Sequence, residues 1–287
     1  MLLSLIHPRL FTSLMLMEPY FNERKELRTS PRLAKMTAFK QDLWPSRSAA
    51  AEKACKVFSN WDPRVMDRWI KYGYRDLPTA IHPGSQPDNP TNPPVTLSTT
   101  KHQELFTYSR PNFNRHRELG LSDEEEDTEK IPSPPHDPLL VPDMINGRIE
   151  NDMFYRPETV ISWRLLPHVR PTVLYVGAET SGLQILGHHA GAVERLGTKW
   201  GGSGGKAYAR VAYVVLEKAG HGLPLEKPSA TANELGPWIA KEMHRWREDE
   251  RRMAEGWEGL SGREKSTTPE HWKKMLAMRP VDPGSKL

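Results

Sequence analysis

The chain has 287 residues, 37% hydrophobic and 26% charged, with a formal net charge of +4, a pI near 9.0 and a mean hydropathy of −0.66. That is room for one large domain or two small ones, with sizeable segments left outside any core. Positive charge is spread along the sequence, which argues against a nucleic-acid-groove element. No apolar run is long enough to span a membrane. The single cysteine, Cys55, excludes an internal disulfide and fits a reducing compartment; it reads as a small, half-buried helix residue.

Met1-Leu-Leu-Ser-Leu-Ile6 looks like a signal h-region, but it has no basic residues before it and no small-residue cleavage site after it, so a secretory signal is not expected. It is expected to be the end of a buried helix, with Leu2, Leu3 and Ile6 on one side and Pro8 as the stop. Phe11 to Pro19 predicts a strand. Leu14, Met15, Leu16 and Met17 form a continuous apolar run, as in a parallel strand buried on both faces, and Glu18 closes it. Arg32 to Leu77 predicts helices. Asp62-Pro63 has the form of an N-cap followed by a first-turn proline, and Val65, Met66, Trp69, Ile70 and Tyr72 follow near helical spacing. Two amphipathic helices after a buried strand suggest a cap laid over a sheet edge. Trp61, Trp69, Tyr72 and Tyr74 read as packing within that cap, and the sharper use is to line an apolar pocket.

His82 to Val95 is rich in Pro, Asn, Asp and Ser and predicts a loop, and Lys101 to Ser109 a short helix or strand. Leu121 to Pro142 combines a run of acidic residues with a proline-rich stretch. It is expected to be a flexible surface insertion, with an acidic partner-binding segment as the alternative. Arg156-Pro157-Glu158 opens a short helix containing Ile161, Trp163 and Leu166. Pro171 to Val176 is a second buried strand, ended by Gly177. A short helix between Gly187 and Gly197 and a flexible loop through Gly205 precede a third strand, Arg210 to Leu216. Asn233 to Trp257 predicts a long amphipathic helix with Leu235, Trp238, Ile239, Met243 and Trp246 on one face. Strands separated by helices imply βα units and a parallel sheet. His188 and His189 are adjacent, so they do not face one way on a helix, and they read as polar loop residues and not as metal ligands. The last three residues, Ser285-Lys286-Leu287, have the form of a peroxisomal address, so recognition by the import receptor is expected.

The strongest local signal is Ala219-Gly220-His221-Gly222-Leu-Pro224-Leu-Glu226-Lys-Pro228, just past the third strand. A histidine on a Gly-rich turn beyond a buried strand is held on a rigid platform with its ring free, as a general base must be.

That turn resembles the catalytic-histidine turn of the α/β-hydrolase superfamily. Val173 to Gly177 resembles the penultimate strand of its sheet. His7-Pro8-Arg9-Leu10-Phe11 through Glu18-Pro19 resembles the helix end and strand just after the nucleophile elbow. With the Gly-rich loop and the Ser-Lys-Leu end, the chain is most similar to fungal peroxisomal serine hydrolases, including those of host-selective toxin biosynthesis. The resemblance implies an α/β class: a partial α/β-hydrolase fold, with a parallel sheet of C-terminal strands and a helical cap. The expected blocks are residues 1–22 (core strand), 23–155 (cap with insertion), 156–262 (C-terminal core) and 263–287 (tail). It implies His221 as the general base and a carboxylate to orient it. Glu18 is favoured for that acid because it closes a buried strand, and Glu179 is the alternative. The expected substrate is a small ester, thioester or lipid-like acyl compound, with no metal or cofactor.

The elbow serine is not matched. Gly201-Gly202-Ser203-Gly204-Gly205 fits G-x-S-x-G in letters, but it follows no buried strand and precedes no helix. The resemblance begins in what would be the helix after the elbow. An N-terminally truncated hydrolase, inactive as written, is therefore the expectation, with a non-catalytic binding protein derived from a hydrolase as the alternative.

Overall fold

The computed structural model describes residues 1–7, 10–21, 31–83, 91–111, 154–156 and 158–278. The acidic and proline-rich insertion and the Ser-Lys-Leu end lie outside the described residues, as do Pro8, Arg9 and Pro157. The chain divides into two compact units, Met1–Leu235 and Gly236–Leu287.

In the first unit the elements run α1 (Leu2–Ile6), β1 (Ser13–Met17), α2 (Pro31–Ala38), β2 (Leu43–Trp44), α3 (Arg47–Val57), α4 (Pro63–Tyr72), β3 (Tyr74–Asp76), β4 (Val95–Leu97), α5 (Lys101–Tyr108), β5 (Arg110–Pro111) and β6 (Phe154–Tyr155). Then follow α6 (Glu158–Leu165), β7 (Thr172–Ala178), α7 (Gly182–Ile185), α8 (His188–Arg195), β8 (Val211–Leu216) and α9 (Leu223–Glu226). Helix α10 (Pro228–Glu258) begins in the first unit and continues into the second, which also holds α11 (Gly262–Ser266) and α12 (Glu270–Ala277). Among the described residues no helix is long and apolar enough to cross a membrane.

The three predicted strands form one parallel sheet in the order β1-β7-β8, with Ser13 opposite Thr172 and Val173 opposite Val211. All seven residues of β7 are buried, as its continuous apolar run requires of a central strand. Gly177 lies inside β7 and does not end it. Strand β1 departs from expectation. Leu14 is buried, but Met15 is 38% exposed, so among the described residues β1 is an edge strand with one face against the core. Leu14, Leu166, Val169, Val173, Tyr175, Val193 and Leu196 are at the centre of that core. Helix α1 also differs: Leu3 and Ile6 are exposed, while Met1, Ser4 and Leu5 face inward.

The predicted cap helices are present. Ser46 accepts the Ala49 N–H at the start of α3, and Asp62 accepts the Arg64 N–H at the start of α4, ahead of Pro63. Cys55 is exposed on α3, not half-buried. The cap also holds an antiparallel sheet, β2-β4-β3, where the sequence predicts only helices and a loop. Trp44, Ala50, Tyr74, Val95 and Leu97 close a second, smaller core there. Lys101–Tyr108 is a helix, opened by a capping box between Thr100 and Gln103. The long helix starts at Pro228, earlier than expected, and carries Pro237 inside it. Of its expected apolar face Trp238 is buried, whereas Ile239, Met243 and Trp246 are exposed.

Candidate active site

Parallel pairing brings the C-terminal ends of β1, β7 and β8 side by side. Glu18 follows β1, Glu179 follows β7, and the His221 turn follows β8. Glu18 is 5% exposed and adopts φ 47°, the left-handed region that a residue with a Cβ rarely enters. Its own N–H donates to the Val176 carbonyl at 2.9 Å, which fixes this turn against β7.

The Glu18 carboxylate receives four donors. Oε1 accepts the Ala178 N–H at 2.6 Å and His189 Nε2 at 2.8 Å. Oε2 accepts the Ser181 hydroxyl, and His221 Nδ1 at 3.1 Å. Burial raises the carboxyl's pKa. The hydrogen bonds from Ser181, His221 and Ala178, with the nearby His189 ring, outweigh that and hold it below the usual carboxylate range. Glu18 is therefore an anion at neutral pH despite being buried.

His221 is the one member of this cluster in contact with solvent; its side chain is 68% exposed. Glu18 is its hydrogen-bond partner through Nδ1, which directs Nε2 away from the carboxylate. The turn is clasped by Glu226, whose carboxylate accepts the Gly220 N–H at 2.7 Å and the Gly222 N–H at 3.2 Å. A Cβ at residue 220 would lie 2.9 Å from the Glu226 Oε1, so a larger residue here would push the Glu226 carboxylate aside.

Glu179 is exposed and does not meet His221. It accepts the Lys218 N–H at 2.8 Å and so pins Lys218 at φ 51° in the turn leading to the histidine. Thr180 adds to the same turn by donating its N–H and its hydroxyl to the Ala219 carbonyl. Ser203 is at the other end of the sheet. Its N–H donates to Val169, ahead of β7, about 20 Å of strand rise away from Ala178.

Two features were not legible beforehand. His189 is neither in a loop nor solvated: it lies in α8, is 0% exposed, and bonds Glu18 and the Tyr175 hydroxyl, the latter at 2.8 Å. Ser181 caps α7 through the Leu183 N–H while donating to Glu18.

Beside the histidine turn, the cap carries a cleft of about 590 Å³ lined by Trp61, Val65, Arg68, Trp69, Tyr72 and Leu225, among others. Leu225 belongs to α9, which directly follows the His221 turn, and its carbonyl accepts the Asp62 N–H at 3.0 Å, tying α9 to the start of α4. Trp61 and Trp69 meet edge to face with centroids 5.7 Å apart. Tyr74 does not line this cleft; it is packed in the cap core.

A parallel sheet whose C-terminal edge carries a loop histidine on a buried carboxylate is the architecture of an α/β-hydrolase. Comparison with known proteins leads to the same class. No family profile matches the chain. It is 33% identical to the type I acyl-CoA thioesterase mpaH of Penicillium brevicompactum over 99% of its own length and 64% of that protein's. It is 24% identical to the abhydrolase domain-containing protein AFT2-1 of Alternaria alternata, over 96% of the chain and 91% of that protein. Among solved structures it resembles the peroxisomal α/β-hydrolase Lpx1 of Saccharomyces cerevisiae, with a TM-score of 0.51 at 13% identity, covering 90% of this chain and 58% of that one. The chain has a partial α/β-hydrolase fold and is similar in sequence to proteins of that kind. It spans just under two thirds of the length of the thioesterase relatives.

Proposed function

We propose that this chain carries the general base and the orienting acid of a hydrolase acting on acyl esters or thioesters, with His221 as base and Glu18 as acid. The observation that carries the reading is the 3.1 Å contact between His221 Nδ1 and the Glu18 carboxylate at the C-terminal edge of the sheet. The carboxylate holds the proton on Nδ1, so Nε2 is free to take a proton from a nucleophile. In the reaction a serine oxygen bonds the acyl carbon while its proton passes to Nε2. The carbon–sulfur or carbon–oxygen bond then breaks, and the leaving group departs with that proton. Water attacks the acyl-enzyme by the same route, releasing the carboxylic acid and restoring the serine. We assign that serine to no residue of this sequence. Polypeptide beyond it, corresponding to the part of the thioesterase relatives that the chain does not span, would supply it.

The similarity to an acyl-CoA thioesterase and the aromatic cleft beside the histidine turn favour a thioester with an apolar acyl group. The proposal keeps the division into core (1–22 and 156–262) and cap (23–155). It adds import into peroxisomes through Ser285-Lys286-Leu287, which the peroxisomal source of Lpx1 supports. A fluorescent protein fused ahead of the chain should be punctate in cells and become diffuse when these three residues are removed.

The decisive test is acyl-CoA hydrolysis by the protein encoded by the fully mapped transcript. His221→Ala and Glu18→Gln should each lower kcat by about 10³–10⁴-fold with KM little changed. Undiminished turnover in His221→Ala overturns the reading. A folded protein that resists a fluorophosphonate probe and leaves thioesters intact supports the non-catalytic binding protein instead.

A further inference from the structure

Glu18 offers about four lone-pair sites on two oxygens, and four donors fill them. Three of the four come from residues buried in the core, and His221 alone comes from an exposed turn. The buried side chains fix which way the carboxylate faces before His221 arrives. Among them His189 is the only ring, and its second nitrogen is also engaged. Tyr175 lies in the central strand, fully buried. Burial, first, and then the neighbouring Tyr213 and Glu18 push its phenol far above its usual range, so its hydroxyl keeps its proton. That hydroxyl donates to His189 Nδ1 at 2.8 Å, which leaves the ring proton on Nε2, 2.8 Å from Glu18 Oε1. Gly177 makes room for this ring: a Cβ there would lie 3.3 Å from His189 Cδ2.

We propose that His189, held in one tautomer by Tyr175, is a positioning residue that orients the Glu18 carboxylate toward His221. The inference rests on the base–acid reading above. It deepens that reading by giving the acid a dedicated support of its own, a chain Tyr175–His189–Glu18–His221 running from the sheet core to the solvent. The charged and titratable groups facing Glu18 are His189, His221, Tyr175 and Tyr213.

The test is solution NMR of the full chain with carbon-13 in the glutamate carboxyls and nitrogen-15 in the histidine rings. In His189→Phe the Glu18 carboxyl should titrate at higher pH, and the His221 ring should lose its single tautomer. His189→Gln, which restores an N–H donor, should recover most of the wild-type behaviour. In the active enzyme His189→Phe should lower kcat about tenfold, move the acid limb of the pH profile upward and leave KM unchanged. Should His189→Phe not fold, Tyr175→Phe removes only the hydroxyl and should give His189 two tautomers in place of one. An unchanged Glu18 titration and an unchanged His221 ring in these variants overturn the proposal. Glu18→Gln separates the two levels. If it leaves the His221 titration at the wild-type position, the base–acid reading fails. If it moves that titration and His189→Phe does not, only the role of His189 fails.

Discussion

Glu18 is buried, backbone-strained and charged, a combination that survives only where surrounding groups over-determine it. Its donors hold its pKa below the reference value of 4.5. A lowered folded-state pKa contributes stability that is fully present above the unfolded value and is lost as pH falls through the folded one. The wild type should therefore lose stability below about pH 4.5, and Glu18→Gln should be flatter in that range. Urea midpoints measured from about pH 6 down to pH 3 check this, and parallel curves for the two proteins would contradict it. The sequence marked Glu18 because a glutamate closing an apolar strand needs a reason. It did not mark His189, which reaches Glu18 across 171 residues and stands in the sequence only as half of a histidine pair.

The element-scale logic is clearest in the histidine turn. Glu226 opens no new element; it reaches back from α9 to hold two glycine N–H groups, so the turn and the short helix form one unit. Glu226→Ala should cost about 1–3 kcal/mol through the two freed donors and lower kcat while His221 itself is intact. Thermal unfolding and turnover measured together check it, and full activity would mean that the turn holds its shape without the clasp. The sheet gives a second contrast. Leu174→Ala in the buried central strand should cost about 2–5 kcal/mol, and Met15→Ala on the exposed face of β1 about 1 kcal/mol or less. Equal losses would place the core elsewhere. The three long strands were legible because their apolar runs are continuous. Strands β2, β3 and β4 were not, because two or three residues are too few to show a period. Helix α1 misled for a similar reason: five residues with apolar side chains around most of the circumference do not reveal which side packs.

For the whole molecule, the cap supplies an aromatic cleft and the core carries the proposed base–acid pair, and α9 joins the two through Leu225, which lines the cleft and directly follows the His221 turn. Tyr72 lines that cleft yet is 59% exposed, so Tyr72→Ala should leave the fold intact. For long apolar acyl groups it should raise KM about tenfold with kcat unchanged, in line with lost ground-state binding. Steady-state kinetics across acyl lengths test this; an unaltered KM would move the substrate elsewhere.

The parallel pairing of β1 with β7 has one more consequence. Glu18 sits early in the chain and His221 203 residues later, with the cap elements between them in sequence. Two separately expressed pieces, divided between α5 and β6, would each be chemically incomplete. Mixed together, they would regain the imidazole–carboxylate pair only by docking strand to strand, so a restored His221–Glu18 contact, read from the His221 ring by NMR, would count productive reassembly directly.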